Sequence, residues 1–194
     1  MAGDEVRLDP RVKRTRQLLE DALRELLEDK DFQSITVQDI AARAGVNRAT
    51  FYAHFEDKYA LLNYSVRDTL ETMLESKLPE SPVFAPENLR VVIITVCDFL
   101  AMLYGHCLPA VRTNQYLLIA AQVQMHIREL ILSWLTHSTE AVDAPATVAT
   151  VTSWAIFGSA LQWASGDRRE TPEQLADQVL SVMLSGLDRA PTAA

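Results

Sequence analysis

The residues from Ile35 to Phe55, ITVQDIAARAGVNRATFYAHF, leave the chain little freedom in how it folds. Thr36 is placed to cap a helix, and Asp39 three positions on completes a capping box with Asp in place of Glu or Gln. Ile35 and Ile40 occupy the two positions of a hydrophobic staple. The helix so begun runs over Val37–Ala44 and stops at Gly45, which suits the left-handed position after a helix end. Val46 carries the turn and Asn47 caps another short helix through about Ala53. Two short helices joined by a glycine turn are therefore expected. Ala41, Ala42 and Ala44 are small enough for close approach, while Val46 and Phe51 fix the angle between the helices. Phe55 is expected to pack against the helix before them.

The rest of the chain reads as helix too. Glycine is scarce, no Asn-Gly or Asp-Gly hairpin signal occurs, and no long apolar/polar alternation is present. No internal repeat or low-complexity segment stands out. Asp9 and Pro10 start a first helix whose face is Leu19, Ala22, Leu23, Leu26 and Leu27, with Glu20 and Arg24 expected to pair opposite it. That helix ends over Asp29–Gln33. Asp57 caps a fourth helix reaching roughly Lys77, striped by Leu62, Val66, Thr69, Leu70 and Met73. Pro79, Pro82 and Pro86 mark a loop. Glu87–Gly105 is apolar almost all round and is expected to be buried on most sides, with Asp98, Glu87, Asn88 and Thr95 on a narrow solvent face. Asn114–Thr136 forms a long helix, Thr139–Pro145 a linker, and Ala146–Ser165 and Thr171–Leu187 the last two helices.

Composition narrows the class. Of the 194 residues, 48% are hydrophobic, enough for a sizeable core. Met1–Pro10 lacks the apolar run of a signal peptide, and the most apolar stretch, Val91–Val111, is broken by Asp98, His106 and Pro109. A cytoplasmic protein with no membrane partner is expected. Cys97 and Cys107 would sit about 15 Å apart on one helix, too far for a disulfide that needs less than ~7 Å, and both read as ordinary buried residues. His106, His126 and His137 share no metal-ligand spacing, so no metal or cofactor is expected.

The net charge of −8 argues against a nucleic-acid partner until its distribution is considered. Residues 1–58 carry ten Lys and Arg against twelve Asp and Glu. Within them Arg7, Arg11, Lys13, Arg14 and Arg16 face only Asp9, concentrating positive charge in an N-terminal arm. Screening limits the reach of distant charges to ~8–10 Å, so such an arm can neutralise phosphates on an acidic protein. A solvated charged tail is the plainer alternative.

Taken together, the T-x-x-x-I-A-x-x-A-G-V second helix and the T-F-Y-x-H-F third helix resemble the DNA-binding signature of the TetR/AcrR family of bacterial regulators. Glu56-Asp57-Lys58 followed by Leu61-Leu62 fits as well. The resemblance covers about the first 65 residues; beyond Lys77 it is one of architecture. It implies an all-α chain of about nine helices. A three-helix helix-turn-helix DNA-binding domain would occupy 8–57, with its motif at about 35–54. A ligand-binding and dimerisation bundle would follow over 58–188, and a tail over 189–194.

In that role the start of the third helix enters the major groove. Arg48 is the foremost base reader, since its fork matches guanine O6 and N7. Asn47 either caps or reads adenine, Ala49 stands beside them, and Tyr52 touches a base methyl or a phosphate. Phosphate contacts are assigned by resemblance and chemistry together: Thr36 at a helix N-terminus, Thr50, Tyr52 and His54 on the reading helix, and Lys58 at the far edge. Arg11, Lys13 and Arg14 either clamp phosphates or reach into the minor groove.

The resemblance also implies operator DNA and a second copy of the chain as partners. The interface offered is Val151, Trp154, Ala155, Gly158 and Leu161 with Leu175, Val179, Val182 and Met183; Val148 continues the first row. It further implies a cavity for a small hydrophobic or amphipathic effector. The candidates are Tyr64, Phe99, Met102, Tyr104, Tyr116, Met125, Trp134 and Phe157, each of which also reads as core. The expected function is a repressor released from a palindromic operator by its effector. No Gly-rich phosphate loop, G-x-S-x-G or H-E-x-x-H is present, so no catalytic residue is assigned. A helical dimer acting as an adaptor without DNA binding, or an all-α enzyme, are the alternatives.

Overall fold

The computed structural model describes residues 9–106, 115–138 and 142–187. Among the described residues there are eight α-helices and no strand: α1 Pro10–Asp29, α2 Val37–Arg43, α3 Arg48–Tyr52, α4 Lys58–Glu75, α5 Pro86–His106, α6 Gln115–Thr136, α7 Pro145–Ser165 and α8 Pro172–Leu187. A 3-10 turn at Phe32–Ser34 lies between α1 and α2. The fold is all-α; the eight helices are those of the described residues, where the sequence led us to expect about nine over the whole chain. The tail from 189 lies outside the described residues.

Two compact units divide within α4, between Ser65 and Val66. The sequence placed the boundary at 57/58, where α4 starts. The later division has a physical cause: the first turns of α4 are built into the N-terminal unit. Leu61 and Leu62 are buried there, and Tyr64 packs on Phe55 with ring centroids 5.4 Å apart.

The N-terminal unit is assembled from short, well-capped pieces. Asp9 accepts from the Arg11 N–H at 2.9 Å and Pro10 takes the first helical position, as the sequence indicated. Leu19, Ala22, Leu23 and Leu26 are buried, and α1 packs on α2, which packs on α3. The expected Glu20–Arg24 pair is corrected: Arg24 bonds Asp21 at 3.0 Å, and Glu20 is buried. Arg43 of α2 reaches Glu25 of α1 at 2.9 Å.

The second unit centres on α5, which packs against both α7 and α8. Leu89, Val92, Ile93, Val96, Cys97 and Phe99 are all buried along it, so it is covered on most sides as expected. Burial pushes the Cys97 thiol up to about 12, leaving it protonated and inert; the Cys107 side chain lies outside the described residues. The proposed solvent face of α5 is corrected in part. Asp98 is half-exposed and pairs with Lys77 at 2.9 Å, but Thr95 is fully buried. The α7–α8 turn is tightly braced. Arg168, at φ 50°, donates to the Ala164 carbonyl and lies over the Trp163 ring, whose Nε1–H donates to the Glu170 carbonyl at 2.8 Å. Thr171 and Gln174 cap α8 reciprocally.

Candidate nucleic-acid interface

The geometry of the reading head follows from local chemistry. Thr36 caps α2: its Oγ1 accepts from the Asp39 N–H at 3.1 Å, and Asp39 Oδ2 accepts from the Thr36 N–H at 2.9 Å. The Thr36 hydroxyl also donates to that carboxylate at 2.7 Å. These hydrogen bonds, with a contribution from Lys30, hold Asp39 below the ordinary carboxylate range. Ile35 and Ile40, at the two staple positions, are both fully buried.

At the other end of α2 the Val46 N–H donates to the Ala41 carbonyl at 2.9 Å and the Gly45 N–H to Ala42 at 3.2 Å. This paired closure needs a left-handed residue, and Gly45 has φ 68°. Ala41 is buried as expected of a close approach, whereas Ala42 is exposed. The chain then turns into α3 through Asn47, whose Oδ1 accepts from the Thr50 N–H at 2.7 Å and from its hydroxyl at 3.1 Å.

This cap fixes which side chains α3 presents. Phe51 is fully buried and Phe55 nearly so, with centroids 6.0 Å apart. Arg48, Ala49 and Tyr52 face outward, Tyr52 with half its surface exposed, and the Arg48 guanidinium lies 5.9 Å from the Tyr52 ring centre. Asn47 is exposed but its oxygen is committed to capping; Thr50 and His54 are half-buried. The first two positions of the reading helix are thus open to a ligand, and a guanidinium stands at the first of them.

The basic residues near the N-terminus sit differently from a free arm. Arg11, Lys13 and Arg14 are exposed within the first turns of α1. Arg16 packs its guanidinium 5.1 Å from the Tyr64 ring centre and 5.8 Å from that of Phe55. No local spacing pointed to that packing, because its partners lie in α4 and after α3.

Lys58 is also placed otherwise than a free phosphate anchor would be. Its ammonium donates to the carbonyls of Phe32 at 2.8 Å, Gln33 at 3.1 Å and Ile35 at 2.7 Å. The Phe32 ring centre lies 4.7 Å away. Burial lowers its pKa from the ordinary lysine value.

The remaining candidates divide between core and surface. Phe99, Trp134 and Phe157 are buried, Met102 and Met125 are exposed, and Tyr64 belongs to the N-terminal unit's packing. The side chains of Tyr104 and Tyr116 lie outside the described residues. His126 on α6 is buried, and neither ring nitrogen has a hydrogen-bond partner among the described residues. Burial lowers its pKa, opposed by Glu71, whose Oε1 stands 3.8 Å from Nε2. On α7 and α8, Val151, Trp154 and Val182 are 63%, 57% and 75% exposed. Gly158 is exposed beside them, Ala155, Leu161, Leu175 and Met183 are half-buried, and Val179 is buried. A groove of about 620 Å³ between these helices takes in Ala155, Leu175, Val179, Val182 and Met183, and none of the effector candidates whose side chains are described.

A capped helix, a left-handed glycine turn and a second capped helix with an outward arginine define a helix-turn-helix unit. The family model of the tetR family of bacterial regulatory proteins matches residues 19–64 of the chain. A curated relative, the HTH-type transcriptional regulator YxbF of Bacillus subtilis (strain 168), is 35% identical over 72 residues. That match takes in 37% of this chain and 19% of YxbF, so the chain spans about a fifth of its relative's length. Among solved structures, a transcriptional regulator from Pseudomonas aeruginosa PAO1 shares the fold with a TM-score of 0.60 at 20% identity, over 96% of each chain. The TetR family repressor AlkX from Dietzia sp. Strain DQ12-45-1b, implicated in biodegradation of n-alkanes, gives 0.56 at 21% identity, over 95% of this chain and 98% of AlkX.

Proposed function

We propose that this chain is a DNA-binding transcriptional regulator: a homodimeric, cytoplasmic repressor that a small hydrophobic or amphipathic effector releases from a palindromic operator, with no catalytic activity and no cofactor. The observation that carries the DNA reading is Arg48, exposed at the first position of α3 and held there by the Asn47 cap and the buried Phe51. A helix presenting its N-terminal side chains in this way suits major-groove entry, and an arginine at that point suits guanine. Thr36, Asn47, Ala49, Thr50, Tyr52 and His54 then flank the base contact, with Arg11, Lys13 and Arg14 available to phosphates at the start of α1.

The dimer reading is supported by the apolar residues that α7 and α8 leave exposed, Trp154 and Val182 foremost. Contiguous exposure of large apolar side chains on a soluble domain marks an interaction surface. The effector reading draws on AlkX, a repressor of like fold implicated in n-alkane degradation. It also draws on α4, which is continuous from the reading head into the second unit. An effector that prefers one position of α4 shifts the population of heads able to bind, and only by as much as its affinities for the two states differ.

The test is footprinting on the DNA upstream of the protein's own gene. The expected result is a symmetric protected site with half-sites one helical turn apart, ~34–36 Å. A single unpaired site would remove the dimeric operator, and no protection at any salt would leave the adaptor reading.

A further inference from the structure

We infer that Lys58 is a positioning residue, binding no phosphate: its ammonium ties the turn that leads into α2 to the first turn of α4, and so sets the aim of the reading head. An ammonium has three N–H donors. In this structure they go to the carbonyls of Phe32, Gln33 and Ile35, at 2.8, 3.1 and 2.7 Å. The fully buried Phe32 ring lies beneath, 4.7 Å from Nζ, and Tyr59 flanks it at 5.7 Å. A phosphate oxygen could bind this ammonium only by displacing a carbonyl that is already in place.

The three carbonyls have a telling location. They belong to the 3-10 turn Phe32–Ser34 and to Ile35, the residue just before the α2 cap Thr36. Ile35 is also fully buried, as is Ile40 at the other staple position. Carbonyls at the end of a helical turn carry partial negative charge, and a cation there is stabilising. Lys58 therefore holds the chain at the point where α2 takes its direction. It does so from the first residue of α4, the helix that continues into the second unit. A compact tetrahedral ammonium serves three convergent carbonyls; a planar guanidinium fork does not.

The proposal deepens the reading of the chain as a DNA-binding regulator, and its DNA arm rests on that reading. The test uses the full-length chain with Lys58→Met and Lys58→Arg. The first measurement, without DNA, is amide hydrogen exchange over 32–43, with α8 as internal reference. Both variants are expected to speed exchange over 36–40 by about 10-fold or more, the equivalent of one charge-assisted hydrogen bond, and to leave α8 unchanged. The second is a titration with duplex from the protein's own upstream region at several salt concentrations. Both variants are expected to lose about 10-fold in affinity, while the slope of log K against log salt stays that of the wild type, because no phosphate contact is lost.

A slope flattened by ~1 in Lys58→Met and restored in Lys58→Arg, with unchanged exchange, would overturn the proposal in favour of a phosphate contact. If Lys58→Met unfolds the head, Lys58→Arg decides, since it keeps the charge and loses only the fit. If the wild type shows no preference for its upstream DNA, the regulator reading fails. The exchange measurement then stands alone, and wild-type exchange in both variants overturns the clasp.

Discussion

The N-terminal unit and the second unit are both helical, but they are held by different physics. In the first, α2 and α3 have seven and five residues, too short to persist alone, and nearly every terminus is closed by a named side chain or glycine. In the second, α5, α6 and α7 exceed twenty residues each, and their order comes from apolar packing across elements. The first is specified by neighbours in sequence and the second by neighbours in space. Substitutions should therefore act sharply and locally in one, and through assembly or burial in the other.

The largest expected effect is at Phe51, which has no exposed surface and braces Phe55. Phe51→Ala should cost about 3–5 kcal/mol. Hydrogen exchange in α1–α3 should rise steeply while α8 keeps its rates; equal loss in both units would show that the contrast between them is false. Next is Trp154→Glu on the exposed face of α7. If that face is the dimer contact, self-association measured by sedimentation should weaken by ~2 kcal/mol or more, about 30-fold, with helix content intact. Unchanged assembly would remove Trp154 from the interface.

A pair of glycines sharpens the comparison further. Gly45→Ala should destabilise the head by about 1–2 kcal/mol through its left-handed φ alone, since an added Cβ meets nothing within 4 Å. Gly158→Ala lies inside α7 with equal room and no such φ, so it should raise thermal stability of the isolated protomer by roughly 0.5–1 kcal/mol. Like signs for the two would contradict the assignment.

The smallest effect is in pH. His126 is held below its ordinary value by burial, so its contribution is fully present above the unfolded value of ~6.5 and is lost as pH falls through that range. Melting temperature should therefore decline from pH 8 to pH 5, and His126→Gln should flatten the decline. Asp39 in the head is depressed, so its contribution persists until pH falls through its lowered value, well into the acid range.

The same contrast explains what was legible in the sequence. Thr36, Asp39, Gly45 and Asn47 act within a few residues of themselves, and each was placed by spacing alone. Phe51 and Phe55 read as core of the two-helix unit, and both are buried. What escaped was every feature made by distant partners. Lys58 meets a turn more than twenty positions earlier, Arg16 meets aromatics after α3, and Glu20 is buried. Thr95 looked solvent-facing because its helix is apolar all round and periodicity then has no preferred face. The candidate effector residues are the least legible for that reason: an aromatic that fills a core and one that meets a ligand have the same spacing.

The central claim, that α3 reads DNA through Arg48, is tested most directly by Arg48→Ala. Fluorescence anisotropy with duplex from the protein's own upstream region, against a scrambled duplex, gives both affinities at each salt concentration. The expected result is a loss of about 10- to 100-fold on the upstream duplex, the value of one guanine contact at ~1–3 kcal/mol, with far less change on the scrambled one. Equal binding of the two duplexes by the wild type, or an Arg48→Ala variant that keeps its full preference, would contradict it.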